Sequence, residues 1–183
     1  MQDLGVIREA MDRAATFTAL PGWWMSAVGV MVLPVAYLAA RVRTERPFTW
    51  LVLWLIAAAL AVVSGVVATW AKARRLGLPL VTAPYRRFVL QFGTPIVAGA
   101  LLTPVLFRLT GLSLLPGLWL LLYGVGLVIG GANTVRVVPW TGGAFMALGA
   151  LAFLVDAGDW LMAGGFGGLH LVLGLIVGSK HGG

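Results

Sequence analysis

The 183-residue chain has no cysteine and only two histidines. Without thiols there is no disulfide, no thiolate metal site and no cysteine nucleophile. Charge is scarce as well: 10% of residues are Asp, Glu, Lys or Arg, against about 25% in an ordinary soluble domain. Only six residues are acidic, and Asp3, Glu9, Asp12, Glu45, Asp156 and Asp159 all fall outside the long apolar runs. Proton- and cation-coupled transporters commonly keep an acid within the membrane, and intramembrane aspartyl proteases need a pair. The sequence offers neither. It also carries no H-E-x-x-H, G-x-S-x-G or P-loop pattern.

What fills the chain is hydrocarbon. Hydrophobic residues make up 60% and the mean hydropathy is +0.97. A soluble fold of this size has too little interior to hide that much apolar surface, so the sequence predicts an integral membrane protein. The net charge of +7 comes from 13 Lys and Arg. They lie in short segments between apolar runs, as orientation signals do, and imply no nucleic-acid partner.

Six runs approach the roughly 20 residues that a transmembrane helix needs. They are 21–40, 49–71, 88–109, 112–132, 139–155 and 160–178. The fifth is short, and a tilted, partly re-entrant or differently bounded helix is expected there. Continuous apolar runs without alternation exclude an outer-membrane barrel. The predicted fold is therefore all-α: a polytopic bundle of six transmembrane helices over 21–183, preceded by an arm over 1–20. Within that arm Leu4, Ile7 and Met11 follow helical spacing, and Arg8–Asp12 and Glu9–Arg13 are i,i+4 pairs, the pattern of a short amphipathic helix. Trp23, Trp24, Trp50, Trp70, Trp140 and Trp160 stand near span ends, where an aromatic belt belongs.

With the N-terminus inside, the cytoplasmic segments hold 9 Lys and Arg and the opposite segments 4. Both termini are thus expected in the cytoplasm, with the chain in an inner membrane. Arg41, Arg43 and Arg46, in the first outer loop, run against the rule. The fifth loop instead carries Asp156 and Asp159.

Candidate functional residues are few. His170 is the one titratable residue deep in a span, on a stripe of Ala163, Gly167, Gly174 and Val177 at spacings of 3 and 4. Such a stripe marks a helix–helix contact. Three roles fit it: a neutral imidazole bonded across helices, a ligand to haem, pigment or metal, or a sensing group. Gln91, Tyr123, Asn133 and His170 form a candidate interhelical polar cluster, with Thr134 nearby in sequence. The pairs Gly126–Gly130, Gly164–Gly168 and Gly174–Gly178 serve packing within the chain or a homo-oligomer. In the second loop Lys72, Arg74, Arg75, Arg86 and Arg87 flank an apolar centre. They are candidates for docking anionic lipid or a cytoplasmic or membrane protein partner.

The run IREAMDRAATFTALPGWW over 7–24 resembles the opening of a family of small bacterial membrane proteins with an IR-x-x-M-x-R-x-x-x-FT-x-x-PGW arm. The end, GGFGGLHLVLGLIVGSKHGG, is similar to that family's C-terminus, with His181 where Tyr is expected, and VRVVPWTGGAFMALGALAF also matches its style. The resemblance implies six helices, and a sensing or regulatory role through proximity to small winged-helix regulators. It implies no activity, cofactor or site residue. The reading is a membrane protein without evident catalysis that acts through lipid or protein partners. The alternatives are a small oligomeric carrier or channel for an uncharged or lipid-like solute, and a cofactor-binding subunit centred on His170.

Overall fold

The computed structural model describes residues 21–75, 77, 83–132 and 134–181. These residues are all-helical. Six helices run in order: α1 (Gly22–Val42), α2 (Pro47–Arg75), α3 (Ala83–Thr110), α4 (Leu115–Gly131), α5 (Val137–Ala152) and α6. The last starts as Gly158–Met162, passes through a π-helical stretch Ala163–Leu169 and continues as His170–His181. α1, α2, α3 and α6 are each long and apolar enough to cross a membrane, which makes this a multipass membrane protein. The expected amphipathic arm lies outside the described residues.

The sequence accounts for the boundaries. Pro116 starts α4, where its missing N–H costs nothing. Gly111, at φ 62°, ends α3 in the left-handed conformation open to glycine, and its N–H donates to the Phe107 carbonyl. Pro95 and Pro104 stand inside α3 without ending it. The fifth span is a regular helix of 16 residues, about 24 Å at 1.5 Å per residue, and it packs along α4.

Backbone proximity sorts the helices. α1 lies between α2 and α6, α4 lies between α3 and α5, and α6 touches both groups. Lipid tails are as apolar as Leu, so close van der Waals packing has to hold such helices together. Glycine supplies it. A Cβ on Gly29 would stand 2.6 Å from the Gly167 carbonyl oxygen, and one on Gly174 2.6 Å from that of Gly22. α4 meets α5 the same way: a Cβ on Gly124 would stand 2.6 Å from the Gly142 oxygen. Of the three expected glycine pairs, Gly126–Gly130 packs under Phe92 of α3, and Gly174–Gly178 packs on α1. Gly164 and Gly168 face open space.

The core holds Trp50, Leu115, Leu120, Phe145 and Met162, all essentially without exposure. Trp50 therefore departs from the aromatic-belt expectation. Trp140 and Trp160 are 82% and 74% exposed.

Candidate functional site

The π-helical stretch AGGFGGL determines how α6 presents its side chains. A π-turn inserts one residue into the α register, which rotates the residues after it by about 100°. Before and within it, Met162 and Gly165 face the core, Gly165 lying against Leu120 and Phe145. After it, Gly174 and Gly178 turn to α1, while His170 turns to α4 and α5. The residues of the small-residue stripe expected from spacing, Gly167, His170 and Gly174, have different neighbours. The glycines meet α1, and the histidine meets an aromatic cluster.

His170 is 7% exposed. Its Nε2 lies 2.7 Å from the Tyr123 hydroxyl. Its Nδ1 has no hydrogen-bond partner among the described residues. The Tyr123 O–H donates to Nε2 when that nitrogen is unprotonated and accepts from it in the other tautomer. Rings close around the pair: Phe92 edge-on to Tyr123 at 5.3 Å, Phe145 at 4.8 Å and Phe166 at 5.2 Å. Trp54 of α2 continues the cluster beyond Phe166 at 6.1 Å.

Of the expected polar cluster, Tyr123 and His170 are brought together. Gln91 is half-buried on α3 and engaged in contacts of its own. Asn133 lies outside the described residues. Thr134 bonds locally, its hydroxyl donating to the Gly131 carbonyl at 2.8 Å. Among the described residues no three His, Asp or Glu side chains converge as a metal-ligand set.

The cationic segment is reorganised. Lys72, Arg74 and Arg75 belong to the last turns of α2, and Arg86 and Arg87 to the first turn of α3, so they are helix ends rather than loop. Lys72 is buried and engaged, which removes it from the lipid-facing set. Arg74, Arg75, Arg86 and Arg87 are exposed, and Arg74 stacks on Trp70 at 4.6 Å.

A second polar network escaped the sequence reading. Asp159 sits in the first turn of α6, not in a loop. It lies 3.2 Å from Arg43 at the end of α1, close enough for an ion pair although that nitrogen is not aligned as a hydrogen-bond donor. Trp50 Nε1 donates to its other oxygen at 2.6 Å. Arg43 also donates to the Leu112 carbonyl at 3.4 Å and lies over the Trp50 ring at 5.7 Å. Trp50 stacks on Trp119 at 5.6 Å, and Trp119 Nε1 donates to Thr103 at 2.9 Å. One network thus joins α1, α2, α3, α4 and α6, and sets the α1–α2, α3–α4 and α5–α6 connections at one end of the bundle. The sequence held one signal for it. Arg43 is an arginine on the wrong side of the charge rule, and Asp159 is an acid on that same side.

If the Tyr123–His170 contact is a packing bond, His170→Gln keeps an acceptor and leaves the unfolding midpoint close to that of the parent. His170→Leu is expected to cost about 0.6–2 kcal/mol, towards the upper end because the Tyr123 hydroxyl is left buried. Thermal unfolding in detergent of both variants, with Tyr123→Phe alone and combined, measures the coupling.

Comparison with protein-family models, with curated proteins and with solved structures finds no match for the chain.

Proposed function

We propose that the protein is a non-catalytic multipass protein of a bacterial inner membrane that works through lipid and protein partners, with the exposed arginine rim of α2 and α3 as its docking face. The observation that carries this reading is the grouping of Arg74 and Arg75 at the end of one long apolar helix with Arg86 and Arg87 at the start of the next. Apolar helices hold these guanidinium groups at a membrane boundary, where each basic residue attracts anionic head groups by about 1 kcal/mol. The Lys and Arg count favours the cytoplasmic side for this rim and for both termini. The likeness of both chain ends to small bacterial six-helix proteins supports a regulatory or sensory role. For His170 the hydrogen bond to Tyr123 supports packing over ligation.

The test is lipid retention by the full chain. Purified from a mixture of phosphatidylglycerol and phosphatidylcholine, the protein should keep the anionic lipid preferentially. Replacing Arg74, Arg75, Arg86 and Arg87 together by Gln should lower that retention by at least about tenfold, given ~1 kcal/mol for each charge and incomplete additivity. Raising the salt concentration should weaken it in the parent. Equal retention by parent and variant removes the rim as a docking face.

A further inference from the structure

At the arginine end of the bundle, the last turns of α2 carry two buried residues that its neighbouring helix does not reach. α1 packs along α2, antiparallel to it through the short 43–46 connection. Trp24 fixes their register. Its Nε1 donates to the Ser64 hydroxyl at 3.0 Å, and a Cβ on Gly65 would stand 2.7 Å from its ring. α1 begins just before Trp24, at Gly22, so it runs out near position 68 of α2. Lys72 and Ala73 lie about 6–8 Å farther on, at 1.5 Å per residue. They are nonetheless only 8% and 3% exposed. They continue the half-buried stripe of Gly65, Ala68 and Thr69, while Arg74 and Arg75 take the exposed side. The segment that adjoins the start of α1 at this point is the arm, residues 1–20.

The chemistry of the two residues selects what covers them. A buried ammonium calls for a counter-charge, and a buried alanine for an apolar neighbour. Three of the six acidic side chains, Glu45, Asp156 and Asp159, belong to the opposite end of the bundle. Glu45 stands just before α2, about 40 Å along the helix from Lys72. The other three, Asp3, Glu9 and Asp12, are all in the arm. Asp12 is the one nearest in the chain to the start of α1. At helical spacing it also borders the Leu4, Ile7 and Met11 face, whereas Glu9 falls on the opposite side. Asp12 and Met11 thus place a carboxylate and an apolar side chain next to each other, as Lys72 and Ala73 require.

We infer that the end of α2 is the docking surface for the chain's own arm, with Met11 packed on Ala73 and Asp12 paired with Lys72. The contact does not rest on lipid docking by the rim, because Arg74 and Arg75 face away from it. It sets the acids of the arm beside the rim, so a partner at this end meets the arm and the arginines as one composite surface.

The test is disulfide formation in the full-length, otherwise cysteine-free chain, in bilayers of phosphatidylcholine. Neutral lipid leaves the rim without an anionic ligand, so the result is separate from that of the lipid-retention experiment. Met11→Cys combined with Ala73→Cys should join within one chain under mild oxidation. Met11→Cys combined with Trp70→Cys, on the exposed side of the same helix, should not. Lys72→Glu should slow the 11–73 joining about fivefold, the equivalent of ~1 kcal/mol for the charge pair. Adding Asp12→Lys should restore the rate. Should Lys72→Glu fail to fold, Lys72→Gln takes its place: the rate should fall, and Asp12→Asn should then add no further loss. Absence of 11–73 joining, or joining only between two chains, overturns the proposal. So does a rate that the Lys72 substitutions leave unchanged, a rate that Asp12→Lys fails to restore, or a further loss from Asp12→Asn on top of Lys72→Gln.

Discussion

Gly174→Leu is expected to destabilise the bundle by about 3 kcal/mol or more, above the usual range for overpacking because the obstacle is backbone. A side chain at 174 would enter the backbone of Ser26 and Gly22, and neither can move without parting α1 from α6. The Ser26 hydroxyl, which donates to the Leu171 carbonyl at 3.3 Å, would be displaced with them. Gly143 supplies the control. It lies in mid-α5 with nothing near its Cβ position, so Gly143→Ala should be neutral or stabilising by up to about 1 kcal/mol. Unfolding of both variants in a mixed-micelle denaturant series checks the pair. Similar losses at 143 and 174 would mean that glycine serves something other than helix approach.

Asp159→Ala is expected to have the largest effect among the polar residues, about 3–5 kcal/mol, because it leaves a partly buried guanidinium and a buried indole N–H without their acceptor. Asp159→Asn should cost less, since an amide oxygen can still accept from Trp50. Arg43→Ala is damaging for the reciprocal reason. The combination Arg43→Met with Asp159→Leu should recover the part of the loss that comes from the stranded charge, while the Trp50 N–H still lacks its acceptor. A double-mutant cycle on the unfolding free energies measures the coupling directly. Strict additivity of the single losses would show that the pair is geometric coincidence.

The membrane class and the helices are legible in the sequence because both depend on run length. Twenty apolar residues cross a bilayer whatever they pack against, and the six runs in the sequence match α1 to α6 to within a few residues at most ends, Arg75 and Ala83 excepted. Those two ends extend into the expected loop because arginine is a good helix former and continues a helix past the hydrocarbon.

Side-chain direction is less legible. Spacing places His170 correctly as an interhelical residue, but it does not say which helix each residue meets: Gly174 abuts α1, while the longer imidazole reaches Tyr123 of α4. Four glycines within AGGFGGL permit a π segment, which shifts the faces before it relative to those after it. Trp50 resembles a belt residue because it stands near a span end. Its burial comes from partners distant in the sequence, Asp159 being 109 positions away. The Asp159 carboxylate itself looks like a loop charge, since nothing local shows that three connections meet at one end of the bundle.

That meeting is the central claim: the α1–α2, α3–α4 and α5–α6 connections share one membrane face, opposite the arginine rim and the C-terminal end of α6. Because the native chain has no cysteine, single substitutions report without background. Glu45→Cys and Asp156→Cys should react with an impermeant thiol reagent added to intact cells. Arg75→Cys and Lys180→Cys should react only after the membrane is opened. Labelling of 45 and 156 from opposite faces, or of 180 from the same face as both, would contradict the account.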